Sequence, residues 1–201
     1  MIFYLVRHGA TDWNQQSRIQ GQLDVPLSPL GRSQAIGLRV YFRDVPLDRV
    51  FCSPLSRACE TANIILDGRL PIILKPEMRE RCFGDWQGLR WDEVYHRNPD
   101  LPPLWSMRAR HIEPPGGESL NAFMHRIRQG FQELVLKTEP YDKVLVVTHR
   151  GVIRALVWSL NGCREQSLED IFLPNCAAAV LSDADRTLRV EAVRWIDNLH
   201  A

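Results

Sequence analysis

The chain has 201 residues, 45% hydrophobic and 24% charged, with a formal net charge of +1 at pH 7. That length suits one domain with a substantial core, and the near-neutral balance gives no electrostatic reason to expect nucleic acid or an acidic membrane as partner. No apolar run spans a bilayer. The first one is cut short by Arg7 and lacks the basic flank and cleavage site of a secretion signal, so a cytoplasmic location is expected.

The five cysteines, Cys52, Cys59, Cys82, Cys163 and Cys176, are odd in number and contain no Cys-x-x-Cys pair. They read as small buried residues in a reducing compartment, not as a disulfide framework or a zinc site. No His-x-x-x-His and no acidic cluster is present, so neither a metal nor another cofactor is expected.

In chain order, Ile2 to Val6 form an apolar strand that ends in Arg7-His8-Gly9, followed by a polar loop containing Asn14. Ser28-Pro29 reads as a helix cap followed by proline, and the helix runs to about Arg43. Arg49 to Cys52 is a second strand. Ser53-Pro54 repeats the cap signal before a helix carrying Leu55, Ala58, Ala62 and Ile65, with Arg57 in its first turn. Ile72 to Leu74 is a short strand. From Lys75 to about Pro115, tryptophans, prolines and arginines break the periodicity, which suggests a lid or specificity insertion at about 75–115. Gly116 to Ser119 open a helix with Leu120, Phe123, Ile127, Phe131 and Leu134 on one face. Val144 to Thr148 repeat the apolar strand and end in His149-Arg150-Gly151. A helix over Val152 to Leu160 is then ended by Gly162, and Ala177 to Leu181 and Leu188 to Val193 form two last strands, read as an antiparallel pair. The alternation predicts a three-layer α/β/α sandwich with a mostly parallel central sheet, in a single domain over 1–201.

If the two strands that end in histidine run parallel, His8 and His149 emerge at one sheet edge. Arg7 stands beside the first, Arg57 sits at a helix N-terminus, and Asn14 lies in the adjoining loop. Two arginines, a helix dipole and an amide suit a tetrahedral dianion, phosphate above all. A neutral imidazole there can attack phosphorus and form a phosphohistidine. Glu80 is the carboxyl group chosen to protonate the leaving oxygen and then activate water, with Asp85 as rival. Arg79 and Arg81 read as surface residues flanking Glu80.

These residues resemble the histidine phosphatase superfamily, in its phosphoglycerate-mutase-like branch, over essentially the whole chain. Leu5-Val6-Arg7-His8-Gly9 with Thr11, Trp13 and Asn14 is similar to that family's signature. Gln20-Gly21 with Asp24 and Gly31, Ser53 to Ala58, Glu80 before Phe83-Gly84, and Val147-Thr148-His149 match further family blocks. The resemblance implies His8 as nucleophile and His149 as a phosphoryl contact that does not carry the group. It implies Arg7, Asn14, Gln20, Gly21 and Arg57 as phosphate or substrate contacts, and Glu80 as the acid. Arg150 departs from the glycine usual after the second histidine and is expected to meet the substrate at the pocket rim. The stretch after Glu80 and the run Pro115 to Ser119 resemble phosphatase members, broad-specificity and α-ribazole phosphatases among them, more than mutases.

The expected function is hydrolysis of a small phosphorylated metabolite without a metal. A cofactor-dependent phosphoglycerate mutase is the alternative, and an inactive relative that binds phosphorylated ligands is the rival from another class. An apolar strand edge is compatible with a homodimer.

Overall fold

The computed structural model of the protein describes residues 1–102, 111–160, 173–182 and 189–192. Six strands form one sheet: β1 (Ile2–Arg7), β2 (Arg49–Cys52), β3 (Ile73–Leu74), β4 (Lys143–Thr148), β5 (Ala178–Ser182) and β6 (Arg189–Ala192). Their order is β3-β2-β4-β1-β5-β6. The first four pair in parallel, and β5 and β6 add antiparallel at the β1 edge.

The helices are α1 (Asp12–Gln15), α2 (Pro29–Phe42), α3 (Ser56–Leu66), α4 (Trp91–Arg97), α5 (Leu120–Leu136) and α6 (Arg150–Leu160). Strand alternation sends Phe3, Leu5, Phe51, Val144 and Val146 to one face, where they join Phe123, Ile127 and Phe131 of α5 and Val152 and Leu156 of α6. Val6, Val50, Leu145 and Val147 face the other way, onto Ala35, Leu38 and Phe42 of α2 and Ala58, Ala62 and Ile65 of α3. Because both faces are covered, the central strands read as unbroken apolar runs. Phe3 and Phe131 meet at a ring separation of 5.1 Å, and truncating either to alanine should cost about 3–5 kcal/mol.

Local signals account for most element boundaries. The Ser28 hydroxyl accepts the Gly31 N–H at 3.1 Å to start α2, and Ser119 does the same for Ala122 at the start of α5. Ser53-Pro54 behaves differently from the cap expected of it: α3 begins at Ser56 after Leu55, with no side-chain cap, and the Ser53 hydroxyl is used elsewhere. The short helix α1, capped by Thr11, and the helix α4, within the stretch 75–115, were not legible as helices. Among its described residues the same stretch holds single 3₁₀ turns at Pro76–Met78 and Gly84–Trp86. Gly162, expected to end the helix after His149, and residues 103–110 of the stretch 75–115 lie outside the described residues. Among the described residues no helix is long and apolar enough to cross a membrane.

Candidate active site

Register alone builds the heart of the site. Arg7 of β1 pairs with Thr148 of β4, so the next residues, His8 and His149, leave the sheet side by side. The His8 N–H donates to the Thr148 carbonyl at 3.0 Å. In the neighbouring pair Cys52 matches Val147, and the Ser53 N–H donates to the Val147 carbonyl at 3.0 Å. Three adjacent parallel strands therefore deliver Ser53, His149 and His8 to one carboxyl edge, the usual place for a site in such a sheet. The two imidazoles lie 5.2 Å apart, inclined at 60°.

Both rings are essentially buried, His8 4% and His149 0% exposed. Burial first, then Arg57 and Arg7, holds the His8 imidazole well below its ordinary pKa, against the Gly9 carbonyl. His149 is lowered the same way, by burial, then by Arg57. Both are neutral at pH 7. His8 Nδ1 sits 2.7 Å from the Gly9 carbonyl oxygen, an acceptor only, so Nδ1 carries the proton and Nε2 keeps its lone pair. His149 Nε2 lies 2.7 Å from Ser53 Oγ. Ser53 Oγ also accepts the Leu55 N–H at 3.4 Å; where its own proton is given to Nε2, the His149 proton lies on Nδ1.

The loop that carries His8 is pressed onto α2. A side-chain carbon at Gly9 would strike the Gly31 carbonyl, and one at Gly31 would strike Ala10, so both positions require glycine.

Arg7 donates from NH1 to the Leu173 carbonyl at 2.6 Å. Arg57 donates from NH1 to Leu23 at 2.8 Å and from NH2 to Gly21 at 2.7 Å. Gly21 sits at φ +53°, and a side chain there would collide with Gln87. Burial lowers Arg7 to about 9, with Arg150 adding to the shift and Glu80 opposing it. It lowers Arg57 to about 10 against Glu80 and Asp24. Both remain cations at neutral pH. Arg7 Nε, Arg57 Nε and His149 Nδ1 are buried and have no hydrogen-bond partner among the described residues. A buried polar atom without a partner costs free energy. The guanidinium side chains of Arg7 and Arg57 line the same pocket as His8, so an oxyanion there lies between two cations.

The pocket is lined by Arg7, His8, Asn14, Gln20, Gly21, Arg57, Glu80 and Arg150, with Arg18, Ile19, Phe83 and Trp91 around them. The structure thus gathers the residues singled out in the sequence; His149 lies behind His8, touching its ring. Asn14 Oδ1 accepts from the Thr11 N–H at 3.0 Å and the Thr11 hydroxyl at 3.1 Å, and from Asn175 Nδ2 at 3.3 Å, which leaves its Nδ2 as the uncommitted donor. Gln20 Oε1 is buried without a partner among the described residues. Arg150 is half-buried and opens α6.

Glu80 is half-buried and fixed by main-chain donors. Oε1 accepts the Arg81 N–H at 2.9 Å, and Oε2 accepts the Gly151 N–H at the start of α6 at 3.0 Å. Asp85 is exposed and does not line the pocket. Arg81 corrects the surface reading: it is 0% exposed, donates to the carbonyls of Glu118 at 3.0 Å and Ile112 at 2.9 Å, and lies over the Phe83 ring. Arg126 of α5 binds Glu118 through two contacts, 2.7 and 3.2 Å, and donates to the carbonyls of Glu77, Arg79 and Glu80. The Glu80 segment is therefore clamped from α5.

Sequence reasoning missed Ser53, Asn175, Glu118 and Arg126 as supports of the site. The only signals were a Ser-Pro that already resembled a cap and a Pro-Asn before β5; Glu118, just before α5, and Arg126 are eight residues apart, a spacing that marks no pair.

A neutral imidazole in an arginine-lined pocket at the edge of a parallel sheet is suited to phosphoryl transfer. The sequence pattern of the histidine phosphatase superfamily (branch 1) matches residues 3–196, and the chain belongs to that superfamily as a phosphatase. It is 34% identical over 158 residues to the adenosylcobalamin/alpha-ribazole phosphatase of Salmonella typhimurium, covering 78% of each chain. It is 35% identical over 203 residues to the 2,3-bisphosphoglycerate-dependent phosphoglycerate mutase of Cytophaga hutchinsonii, covering 97% of this chain and 93% of that one. Among solved structures, Bacillus stearothermophilus YhfR matches with a TM-score of 0.85 at 30% identity over 95% of both chains.

Proposed function

We propose that the protein hydrolyses a small phosphomonoester through a phosphohistidine on His8, without a metal. The observation that carries this reading is the hydrogen bond from His8 Nδ1 to Gly9 O, which leaves the Nε2 lone pair free in a ring that lines one pocket with the Arg7 and Arg57 guanidiniums.

The phosphoryl dianion rests against Arg7, Arg57, Asn14 and His149. His8 Nε2 attacks phosphorus in line as the bond to the ester oxygen breaks. Glu80, protonated, gives its proton to that leaving oxygen. The resulting carboxylate then takes a proton from water, whose oxygen attacks phosphorus and breaks the P–N bond, releasing inorganic phosphate and regenerating neutral His8. The guanidiniums of Arg7 and Arg57 balance the charge that develops on the equatorial oxygens, the part a divalent cation plays in other phosphoryl-transfer sites. Phe83 and Trp91, in edge-to-face contact at 5.2 Å, and Arg18 and Arg150 line the rest of the pocket and meet the alcohol part of the substrate.

The test is phosphate release from a panel of small phosphomonoesters with EDTA present. Wild type should turn over several and His8→Ala none. Glu80→Gln should lose about 10²–10⁴-fold on alkyl phosphates; with p-nitrophenyl phosphate, whose leaving group needs no proton, it should keep a fast single-turnover burst of nitrophenol followed by slow phosphate release. Loss of activity in EDTA would overturn the metal-free mechanism, and loss of that burst would overturn the acid role.

A mutase reading draws on one observation. Arg18 and Arg150 add two guanidiniums to those of Arg7 and Arg57, more positive charge than one phosphoryl group balances. Dependence of phosphoglycerate isomerisation on 2,3-bisphosphoglycerate as primer would favour it.

A further inference from the structure

Cys52 ends β2 and Cys59 lies in α3, and their thiols converge on one acceptor. Cys52 Sγ is 3.1 Å and Cys59 Sγ 3.3 Å from the Ser53 carbonyl oxygen. Cys52 is buried, whereas Cys59 is partly exposed, so an oxidant reaches the pair from the Cys59 side. The same Ser53 holds His149 through its hydroxyl. One residue thus touches two thiols with its main-chain carbonyl and His149, whose ring packs on His8, with its side chain.

We propose that Cys52 and Cys59 form a peroxide-responsive dithiol whose closure to a disulfide switches the enzyme off through Ser53 and His149. Its activity readout rests on the phosphatase mechanism above; the cross-link itself does not.

The Cys59 thiolate attacks one oxygen of hydrogen peroxide. The O–O bond breaks, leaving a sulfenic acid on Cys59 and a hydroxide that becomes water on taking up a proton. Cys52 sulfur then attacks Cys59 sulfur. The S–S bond forms, the S–O bond breaks, and hydroxide leaves with the Cys52 proton as a second water. The two sulfurs together lose two electrons and peroxide gains them.

The two thiols are suited to these different roles. The Cys52 S–H lowers Cys59 to about 7, against the effect of burial, while Cys52 is raised well above the usual thiol range, first by its hydrogen bond to Cys59 and then by burial. Cys59 is therefore the attacking thiol and Cys52 the resolving one. In the neutral state each S–H faces the Ser53 carbonyl; when Cys59 ionises, the Cys52 S–H turns to it. A disulfide removes both donors from that carbonyl and holds the two Cβ atoms at about 3.5–4.5 Å. The turn between β2 and α3 must then shift, and Ser53 Oγ moves away from His149 Nε2.

The test treats the full chain with hydrogen peroxide and follows phosphate release, intact mass and the peptide map in parallel. The expected result is a loss of about 2 Da per chain from one disulfide, mapped to Cys52–Cys59, with at least tenfold inactivation reversed by dithiothreitol. Cys59→Ser (or Cys59→Ala, should the serine variant be unstable) should resist peroxide, while Cys82→Ser should respond like wild type. Absence of the cross-link, a cross-link without inactivation, or a Cys59→Ser protein as sensitive as wild type would each overturn the proposal. Because the mass readout needs no activity, a protein that cross-links yet never releases phosphate counts against the phosphatase mechanism, not against the dithiol.

Discussion

Ser53 Oγ stands 2.7 Å from Nε2 of His149, the two residues leaving adjacent parallel strands one and two positions after the matched pair Cys52 and Val147. That contact couples the tautomer of His149 to the Ser53 hydroxyl. Ser53→Ala leaves Nε2 buried without a partner and frees the tautomer. We expect kcat/KM to fall about tenfold and stability by about 1–2 kcal/mol. Ser53→Thr, which keeps the hydroxyl, should recover most of the rate. Steady-state kinetics and urea unfolding on the three proteins check this.

Arg57 is a clamp with a fixed fork. Its two terminal nitrogens are held by the Leu23 and Gly21 carbonyls, which fixes the guanidinium where it lines the pocket. Lysine has the charge without the fork. Arg57→Lys should therefore lower kcat/KM about 100-fold or more, and phosphate should lose much of its power as a competitive inhibitor.

Arg126 is not itself part of the pocket lining, yet it holds the carbonyls of Glu77, Arg79 and Glu80 together with the Glu118 carboxylate. Its removal loosens the segment that presents the Glu80 carboxyl group. Arg126→Ala should reduce kcat about tenfold and cost about 2–3 kcal/mol, because Glu118 loses its partner in a partly buried site. A change in stability with kcat intact would separate folding from positioning.

The buried imidazoles also make stability depend on pH. His8 and His149 are held well below 6.5 in the fold, mainly by burial and then by neighbouring guanidiniums. Below about pH 6.5 the unfolded chain binds a proton at each histidine and the folded protein does not, so stability falls as pH falls. Each contributes about 1.4 kcal/mol per pH unit through that window. Urea unfolding from about pH 7.5 to about pH 5 should give a slope that His149→Gln reduces by roughly one proton.

How much of this was legible in the sequence follows from what periodicity encodes. The paired strand-His-Gly pattern was visible because both strands are covered on both faces and therefore unbroken in their apolar runs. Parallel pairing then puts His8 and His149 at the same edge whatever the exact register. Arg57 was legible from its helix position. Ser53 was misassigned because Ser-Pro is a good cap signal, and only the pairing of β2 with β4 reveals that its hydroxyl is drawn to His149. Arg81 was placed at the surface because the stretch around it has no repeat that separates inside from outside; contacts with Glu118 and Ile112, far along the chain, bury it. Asn175 and Arg126 act on residues more than forty positions away, a distance at which sequence spacing carries no information.

The most direct test of the central claim is to trap the phosphoenzyme. Rapid mixing with a ³²P-labelled phosphomonoester, quenched at alkaline pH to preserve phosphohistidine, should label one peptide containing His8. Label should be lost in His8→Gln, and it should accumulate in Glu80→Gln with an activated ester, since that variant lacks the base for the second step. Turnover of substrate with no labelled protein, or label on any residue other than His8, would contradict the mechanism.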